Sequence, residues 1–362
     1  MRTVFVLLTA AVAFSQTAPQ IFFSRTKEDL RGVNAVSQKV AWASGTHGTY
    51  LRAIDGRTWM PEQVPGAESL DFRGVVGFSP DEAFLMASGT GEQSRIYHTT
   101  DAGRHWQLQF TEKNPKGFFD SIAFWDRTHG VVLGDPIPDE SGKLKFELLL
   151  TEDGQTWHPV SPAQIPPAMK DEGAFAASNS SIAILPSEGQ NIWFATGGTV
   201  ARVFHSPDRG RTWQVFDTPI VHGSDSQGIF SIAFRDALHG VIAGGDYKHP
   251  EEDGPNLAFT SDGGKAWTLS KIFPQSYYSG VAYDRRYPAS DETQSDNKKR
   301  ADHPEGRIFV IDPKFIYDFR PPQNPIRISP SRKYGLRFNA VSSYPNGGAL
   351  IVGQKGTIVT IP

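Results

Sequence analysis

Short apolar runs, each closed by a tight turn, recur along nearly the whole chain. The segments 121–134 (SIAFWDRTHGVVLG) and 231–244 (SIAFRDALHGVIAG) are close copies: an apolar strand, a turn with Asp and His-Gly, and a second apolar strand ending at glycine. Runs of this kind between turn residues are typical of β-strands. Weaker copies begin at Asn34, Val75, Ser181, Gly280 and Asn339. The pattern predicts seven hairpins in an all-β chain.

A second phrase, Ser/Thr-x-Asp-x-Gly-x-Thr-Trp, follows most of these hairpins. It is clearest at 99–106 (TTDAGRHW), 206–213 (SPDRGRTW) and 260–267 (TSDGGKAW), and worn copies end at Trp59 and Trp157. The tryptophans recur about every 50 residues, a period typical of propellers. A third strand leads into the Asp turn and a fourth follows the tryptophan. The sequence therefore predicts a seven-bladed β-propeller of four-stranded blades.

The two ends of the chain predict how the ring closes. The last repeat has three strands, near 338–343, 349–353 and 357–361, and an unassigned apolar segment lies at 20–24. We expect this N-terminal segment to be the outer strand of the last blade, because a closed ring leaves no open edge. One propeller domain is predicted over residues 20–362. The sixth repeat lacks the Asp turn.

The acids of the repeated phrase look at first like catalytic carboxylates. One acid per blade in the same turn cannot converge on one point, so we interpret them as residues that hold their own turns. Glycine in each turn takes the positive φ, and tryptophan packs its ring between sheets. The predicted structural residues are Asp101, Gly103, Trp106, Asp208, Gly210, Trp213, Asp262, Gly264 and Trp267.

These phrases resemble Asp-box (BNR) repeats, which are found in sialidase-like propellers. The segments GFFDSIAFWDRTHGVVLGDP, EGAFAASNSSIAI and GIFSIAFRDALHGVIAGGDYKHPE make the chain similar to the photosystem II stability/assembly-factor-like family. The resemblance covers nearly the whole mature chain. It implies a seven-bladed propeller that binds other proteins during assembly, without a shared catalytic motif. The chain departs from the family pattern at two places, because the sixth repeat lacks the Asp turn and because the loop 285–307 is long. The resemblance is not used to infer a photosystem partner for this chain.

The charge and composition of the chain limit the classes of partner and the location that we expect. The net charge is −3 and no Lys/Arg-rich stretch dominates, which argues against nucleic acid as a ligand. The first 15 residues read as a signal peptide: Arg2, then an apolar stretch too short to span a membrane, then a small-residue cleavage site. The alternative is a buried first strand. We expect a periplasmic or secreted monomer without an integral membrane span. The chain has no cysteine, and no cofactor or metal is predicted.

No complete catalytic set is found in the sequence. His129 and His239 occupy the same Asp-x-x-His-Gly turn in two repeats, so we interpret them as turn residues rather than metal ligands or catalytic groups. An enzyme would need two carboxylates at one mouth of the channel. The candidates for that alternative are Asp120, Asp135 and Asp246.

The long insertions 135–145, 158–179 and 246–256 map to the face where the first strand of each blade begins, here called the top face. Binding residues concentrate in such loops. Aligned first strands place three arginines near this end of the channel, where they could grip a carboxylate, or else pair with nearby acids. Arg202 is a weaker candidate, with an inter-blade salt bridge as its alternative. The predicted ligand-binding residues are Arg31, Arg73, Arg337, Phe119, Phe230, Tyr278 and Arg202.

The sequence leaves one main hypothesis for the function, one alternative and a third possibility. The first is a non-catalytic propeller that binds a protein or peptide partner at its channel mouth. The alternative is a sialidase-like glycoside hydrolase or lyase, with aromatic side chains as a platform for a glycan. A purely structural secreted domain would have neither partner nor turnover.

Overall fold

The computed structural model of the protein describes residues 18–186, 189–273, 276–286, 306–320, 324–329 and 335–362. The predicted signal peptide lies outside these ranges, as does most of the loop 285–307. Within them, no helix has the length and apolar character needed to cross a membrane. The same ranges include three short 3-10 helices, at Gly91–Gln93, Pro162–Gln164 and Gln354–Gly356.

Strand β1 (Gln20–Phe23) belongs to the last blade, so the blades are counted from β2. Blade 1 consists of β2 (Leu30–Ala35), β3 (Ala41–Gly45), β4 (Thr49–Ala53) and β5 (Trp59–Gln63). Blade 2 consists of β6 (Asp71–Gly77), β7 (Ala83–Ser88), β8 (Arg95–Thr99) and β9 (Gln107–Thr111). Blade 3 consists of β10 (Phe119–Phe124), β11 (Gly130–Pro138), β12 (Leu144–Thr151) and β13 (His158–Pro159). Each is an antiparallel sheet in chain order.

Blades 4 and 5 are interleaved with two additional strands of two residues each, β14 (Glu172–Gly173) and β17 (Gly197–Gly198). Blade 4 consists of β15 (Ile182–Ile184), β16 (Ile192–Ala195), β18 (Arg202–Ser206) and β19 (Gln214–Asp217). Blade 5 consists of β20 (Gln227–Phe234), β21 (Gly240–Asp246), β22 (Leu257–Thr260) and β23 (Thr268–Leu269). Both short strands extend blade 5 beyond its first strand, in the order β14-β17-β20.

The ring closes as predicted. Blade 6 consists of β24 (Gly280–Tyr283), β25 (Ile308–Ile311), β26 (Ile316–Phe319) and β27 (Ile326–Ile328). Blade 7 consists of β28 (Phe338–Ser343), β29 (Ala349–Gly353) and β30 (Thr357–Ile361). Strand β1 pairs antiparallel with β30, from Gln20 opposite Thr360 to Phe23 opposite Thr357. The seven-bladed fold with an N-terminal strand in the last blade is confirmed.

The hydrophobic core is divided among the blade interfaces. Seven clusters of buried residues each join two neighbouring blades. At the interface of blades 1 and 2, for example, the Trp106 ring meets Tyr50 edge-on at 5.0 Å and Trp42 at 6.2 Å between ring centroids. Aromatic pairs of this kind add to the hydrophobic energy of burial. Since the chain has no cysteine, these interfaces hold the ring without disulfides.

The Asp turns join the third and fourth strands of their blades. In blade 4, Asp208 Oδ1 accepts the backbone N–H of Thr212 at 2.8 Å, and the Ser206 hydroxyl donates to the same oxygen at 2.9 Å. The Gly210 N–H donates to Ser206 Oγ at 2.7 Å, and the Gly210 carbonyl accepts Trp213 Nε1–H at 3.0 Å. The turns of Asp101 and Asp262 have the same carboxylate and hydroxyl bonds. These carboxylates bond within their own turns.

Removing one of these carboxylates should cost stability. We expect Asp208→Ala to lower the free energy of unfolding by about 1–2 kcal/mol, the loss typical of a side chain that satisfies backbone N–H groups at a turn or cap. The thermal unfolding midpoint compared with wild type measures the effect. Asp217→Ala is the matched control, because Asp217 is an exposed acid on the next strand. Equal midpoints for the two variants would contradict a structural role for Asp208.

Blade 6 has no Asp turn and uses a buried ion network instead. Arg307, 3% exposed, donates through Nε and Nη2 to both carboxylate oxygens of Asp318 at 2.9 and 3.0 Å. Its Nη1 donates to Asp284 at 2.5 Å, and Nη2 also reaches the Pro362 carbonyl at 3.3 Å. Arg307 immediately precedes the second strand, β25, and Asp318 lies on the third, β26. The network therefore ties together blade 6 and the end of blade 7.

Candidate functional site

The first strands of five blades carry the same irregularity at the top of the channel. Their register with the second strand shifts by one residue, which leaves one residue unpaired in a β-bulge. A bulge turns the side chain of its unpaired residue away from the regular pleat. The five unpaired residues occupy equivalent positions around the top of the channel. The bulged residues are Arg31, Arg73, Asp120, Phe230 and Asn339.

The bulges correct the predicted alignment of the mouth. Arg31, Arg73 and Phe230 occupy the bulge, whereas Phe119 lies one residue before the bulge of blade 3 and Tyr278 precedes β24, which pairs without a register shift. Both aromatic side chains are fully buried between blades. Those two aromatic side chains belong to the core and are not available to a ligand. Arg337 precedes β28 and is exposed, two residues before the bulged Asn339. The three arginines are therefore not equivalent around the ring.

Arg31 and Arg73 lie together at the mouth. Arg73 Nε donates to Asp71 at 2.8 Å, and its Nη1 donates to the Ala176 carbonyl at 3.1 Å. Arg31 is half-buried, and its Nε has no hydrogen-bond partner among the described residues. Burial and then the charge of Arg73 lower the pKa of Arg31, whereas the charges of Asp71, Asp29 and Tyr277 act in the opposite direction. Burial and a neighbouring cation both disfavour the charged form of this guanidinium, and no acid of the described residues forms an ion pair with it.

A segment of the insertion 158–179 crosses the channel; we call residues 172–180 the mouth segment. Its Ala174 N–H donates to Asp135 in blade 3 at 3.0 Å, and its Ala176 carbonyl accepts from Arg73 in blade 2. Ser178 Oγ donates to the Ser279 carbonyl in blade 6 at 2.9 Å. A short segment bonded to blades 2, 3 and 6 must span the central opening. The insertion thus covers the mouth instead of standing on the rim.

The mouth segment begins at a buried ion pair. Arg202 donates through Nε and Nη2 to Glu172 at 2.9 and 2.5 Å, and the Glu172 side chain is 0% exposed. The Thr196 hydroxyl and the Met169 N–H complete the shell of this carboxylate at 2.7 Å each. Arg202 is therefore occupied by an internal partner. Its pairing fits the alternative of a salt bridge, here between blade 4 and the mouth segment.

Close backbone approach lets the mouth segment dock on blade 5. Gly197 in β17 faces Gly228 in β20, and a Cβ added to Gly228 would lie 2.2 Å from the Gly197 Cα. Gly228 also has a φ of +147°, which side-chain-bearing residues rarely adopt. The Phe175 ring then stacks on Phe230 with centroids 3.9 Å apart. Only glycine at this crossing allows the added strands to form.

An aromatic cluster forms one wall of the mouth. The Phe230 ring, already stacked on Phe175, meets Tyr277 edge-on at 4.8 Å and Tyr247 at 6.0 Å. Tyr247 is 45% exposed, whereas Tyr277 is 8% exposed and lies within electrostatic reach of Arg31. The mouth thus combines a guanidinium pair with an adjacent aromatic wall.

Two of the three candidate catalytic acids are neighbours, and the third is separate. Burial raises the pKa of Asp135 to about 6. Burial and then the charge of Asp135 raise the pKa of Asp120 well above its ordinary value, with Arg73 opposing them. Asp246 accepts hydrogen bonds from the Lys248 N–H in the following loop, at 2.9 Å, and from the Gln227 side chain on β20, at 3.3 Å. Against the effect of burial, bonds from His249, Ser226 and Lys248 hold its pKa at about 2.

Sequence reasoning missed several residues of this site. Asp71 lies two residues before Arg73, a spacing that signals an ion pair on one face of a strand. Phe175 and Tyr277 carry no repeated phrase, and Glu172 pairs with Arg202 across 30 residues. No local signal identifies these three. In the described part of the chain, no three His, Asp or Glu side chains gather as a metal site.

No protein-family model matches this sequence, and no curated protein is significantly similar to it. Among solved structures, YCF48 bound to D1 peptide superposes with a TM-score of 0.64 at 14% identity, covering 96% of this chain and 98% of that one. YCF48 from Cyanidioschyzon merolae gives 0.59 at 15% identity, covering 95% and 98%. A streptogramin B lyase gives 0.65 at 8% identity, covering 97% and 99%. These likenesses establish that the chain has the propeller fold of YCF48 and of streptogramin B lyase.

Proposed function

We propose that this chain is an exported, non-catalytic propeller that binds a protein or peptide partner on its top face. An acidic group of the partner would be held by Arg31 and Arg73. The observation that carries the proposal is the half-buried Arg31 guanidinium, which forms no ion pair within the described chain although it adjoins a second arginine. An incoming carboxylate would neutralise this site with charge-assisted hydrogen bonds.

The shape of the mouth favours a peptide over a small solute. The mouth segment crosses the mouth of the channel, so a ligand at this site would lie across the top face. Tyr247 is exposed beside this site and is backed by the buried rings of Phe230 and Tyr277, so it suits contact with an apolar or aromatic residue next to the acidic one. The YCF48 structure with D1 peptide supports the same class of ligand, since it is a propeller of this fold with a bound peptide.

Peptide binding can be tested without knowing the natural partner. The probe is an array of decapeptides that contain one Glu beside one aromatic residue, each paired with a Gln counterpart. We expect the Glu peptides to bind preferentially, and Arg31→Met to weaken the best of them by about 10- to 100-fold, as expected for a hydrogen bond to a charged group. Fluorescence anisotropy measures the dissociation constant.

The control is Arg211→Met, which removes an exposed arginine from the Asp turn of blade 4 at the opposite face. This variant should bind like wild type. Equal binding of Glu and Gln peptides, or an Arg31→Met variant with unchanged affinity, would refute the proposed site. Export is tested separately by N-terminal sequencing of the protein from a periplasmic fraction. A secreted form that retains residues 1–15 would contradict the signal peptide.

A hydrolase or lyase remains the second candidate because Asp120 and Asp135 lie close enough to interact electrostatically. A propeller of this fold can also be an enzyme, as the streptogramin B lyase illustrates. Against this, both acids lie beneath the mouth segment, and Asp246 is held elsewhere. Turnover in a screen of acidic and neutral glycans, lost in Asp135→Asn, would establish the enzyme and displace the binding proposal.

A further inference from the structure

The acids beneath the mouth segment form a proton-binding pair beside the arginine site. Asp120 is the bulged residue of β10, and Asp135 lies at a second register shift, in β11. Asp120 is 1% exposed, and its Oδ2 lacks a hydrogen-bond partner within the described ranges. Asp135 accepts the Ala174 N–H at 3.0 Å. Phe119 pairs with Gly134, so the residues that follow them, Asp120 and Asp135, are neighbours at the top of blade 3. Two neighbouring carboxylates of which one is fully buried cannot both ionise without a large cost.

The charged groups around the pair are few. Strand β6 contributes Asp71 and Arg73, and β7 and β15 contribute no titratable side chain. The mouth segment contributes Glu172, which Arg202 neutralises. The remaining charged or titratable groups of nearby elements are Arg31, Lys145, Glu147 and Tyr277. Arg73 is thus the cation that acts on Asp120.

Arg73 is shared between competing partners. It donates to Asp71 and to the Ala176 carbonyl, and its charge also favours ionised Asp120. When the pair loses its last proton, Asp120 becomes a stronger competitor for this guanidinium. An acidic ligand group at Arg73 would act in the opposite direction, because it repels a second negative charge nearby.

We infer that Asp120 and Asp135 bind a proton whose uptake is coupled to the binding of an acidic ligand group at Arg73. This inference rests on the proposed function and names its regulation. Proton binding at the acid pair and ligand binding at Arg73 are thermodynamically linked. A ligand that favours the protonated pair must bind more tightly when the pair is protonated.

The direction of the pH effect follows from the raised pKa values of the free protein. The pKa of Asp135 is about 6, and that of Asp120 is also raised. A bound carboxylate would raise both pKa values further. The protein should therefore take up protons when the ligand binds at pH values just above 6. The affinity should therefore be greatest at acidic pH and fall as the pH rises above about 6. One coupled proton limits the fall to about tenfold per pH unit.

The experiment uses the best Glu peptide from the array and the full chain. Calorimetric titrations at pH 6.5 in phosphate and in Tris, which differ in ionisation enthalpy, give the number of protons taken up. We expect uptake of a fraction of a proton up to one, and a matching fall in affinity between pH 6 and 8. Asp120→Asn should remove most of the uptake, whereas Asp253→Asn, an exposed acid on the same face, should not.

A second measurement is independent of any variant. Carbon-detected NMR of aspartate carboxyls in wild-type protein should show two coupled titrations, and the peptide should shift them to higher pH. Peptide binding without proton uptake and without these shifts would overturn this inference alone. Failure of every acidic peptide to bind at any pH between 5 and 8 would overturn the proposed function together with it.

Discussion

Replacing Arg307 with methionine is expected to destabilise the propeller by about 3–5 kcal/mol, the cost of leaving buried charges without their partner. Asp284 and Asp318 are 2% and 3% exposed, and both bond to this one guanidinium. Methionine fills similar space beside Phe309 but donates nothing. Urea unfolding followed by tryptophan fluorescence measures the loss.

Two variants separate lost charge pairing from lost packing. Arg320→Met removes a more exposed arginine that also bonds to Asp318, at 2.7 Å, and should cost less than about 1 kcal/mol. The triple variant Arg307→Met, Asp284→Asn, Asp318→Asn removes the buried charges together and should recover much of the stability. If Arg307→Met alone were as stable as wild type, the buried ion network would not replace the missing Asp turn of blade 6.

The pH dependence of this network has a definite sign. Although burial raises it, hydrogen bonds from Arg307 and Arg320 bring the pKa of Asp318 below its ordinary value. The unfolded chain therefore takes up a proton first as the pH falls. The stabilisation from Asp318 is complete above the unfolded pKa, near pH 4, and is lost as the pH falls through the folded value. The difference in free energy of unfolding between wild type and Arg307→Met should therefore become smaller as the solution is made more acidic.

The fold could be predicted from the sequence because the repeat encodes it locally. Each hairpin carries its own strand pattern and turn residues, and the spacing of the tryptophans gives the blade length. Closure by β1 followed from counting strands in the last repeat. The ion network of blade 6 could not be predicted, because Arg307 and Asp284 are joined across the long loop 285–307, which has no strand pattern of its own.

The candidate site was predictable only where it coincides with the repeat. Arg31 and Arg73 could be proposed from the sequence because they occupy the same position in two blades, although their role in binding stays a prediction. Phe119 does not face the channel because a one-residue bulge changes which side chain of β10 does so. Tyr278 lies just before a first strand without a bulge and is buried in the core between blades 5 and 6. The sequence predicts only that the insertion 158–179 lies on the top face, since the contacts of the mouth segment with blades 2, 3 and 6 depend on tertiary packing and leave no trace in local sequence.

A second buried acid pair lies between blades 2 and 3 and opposes folding at alkaline pH. Glu112 is 4% exposed, and its carboxylate accepts the Asn114 N–H. Glu147 on β12 approaches it, and the Glu147 Oε2 has no hydrogen-bond partner in the part of the chain described. Burial, then the hydrogen bond and charge of Glu112, raise the pKa of Glu147 to about 8. The folded protein therefore retains a proton that the unfolded chain releases.

Glu147→Gln should consequently stabilise the protein, and only at higher pH. Between about pH 4.5 and 8 the native state holds the extra proton, so wild-type stability falls as the pH rises through this window. Glutamine is neutral throughout and can still donate a hydrogen bond to Glu112. We expect a gain of about 1–3 kcal/mol at pH 8.5, within the range for relieving an unsatisfied buried group, and no gain at pH 4.5. Thermal unfolding at both pH values measures it, with the exposed Glu152→Gln as control. A gain that is equal at both pH values would mean that the substitution improves packing and that Glu147 does not titrate with folding.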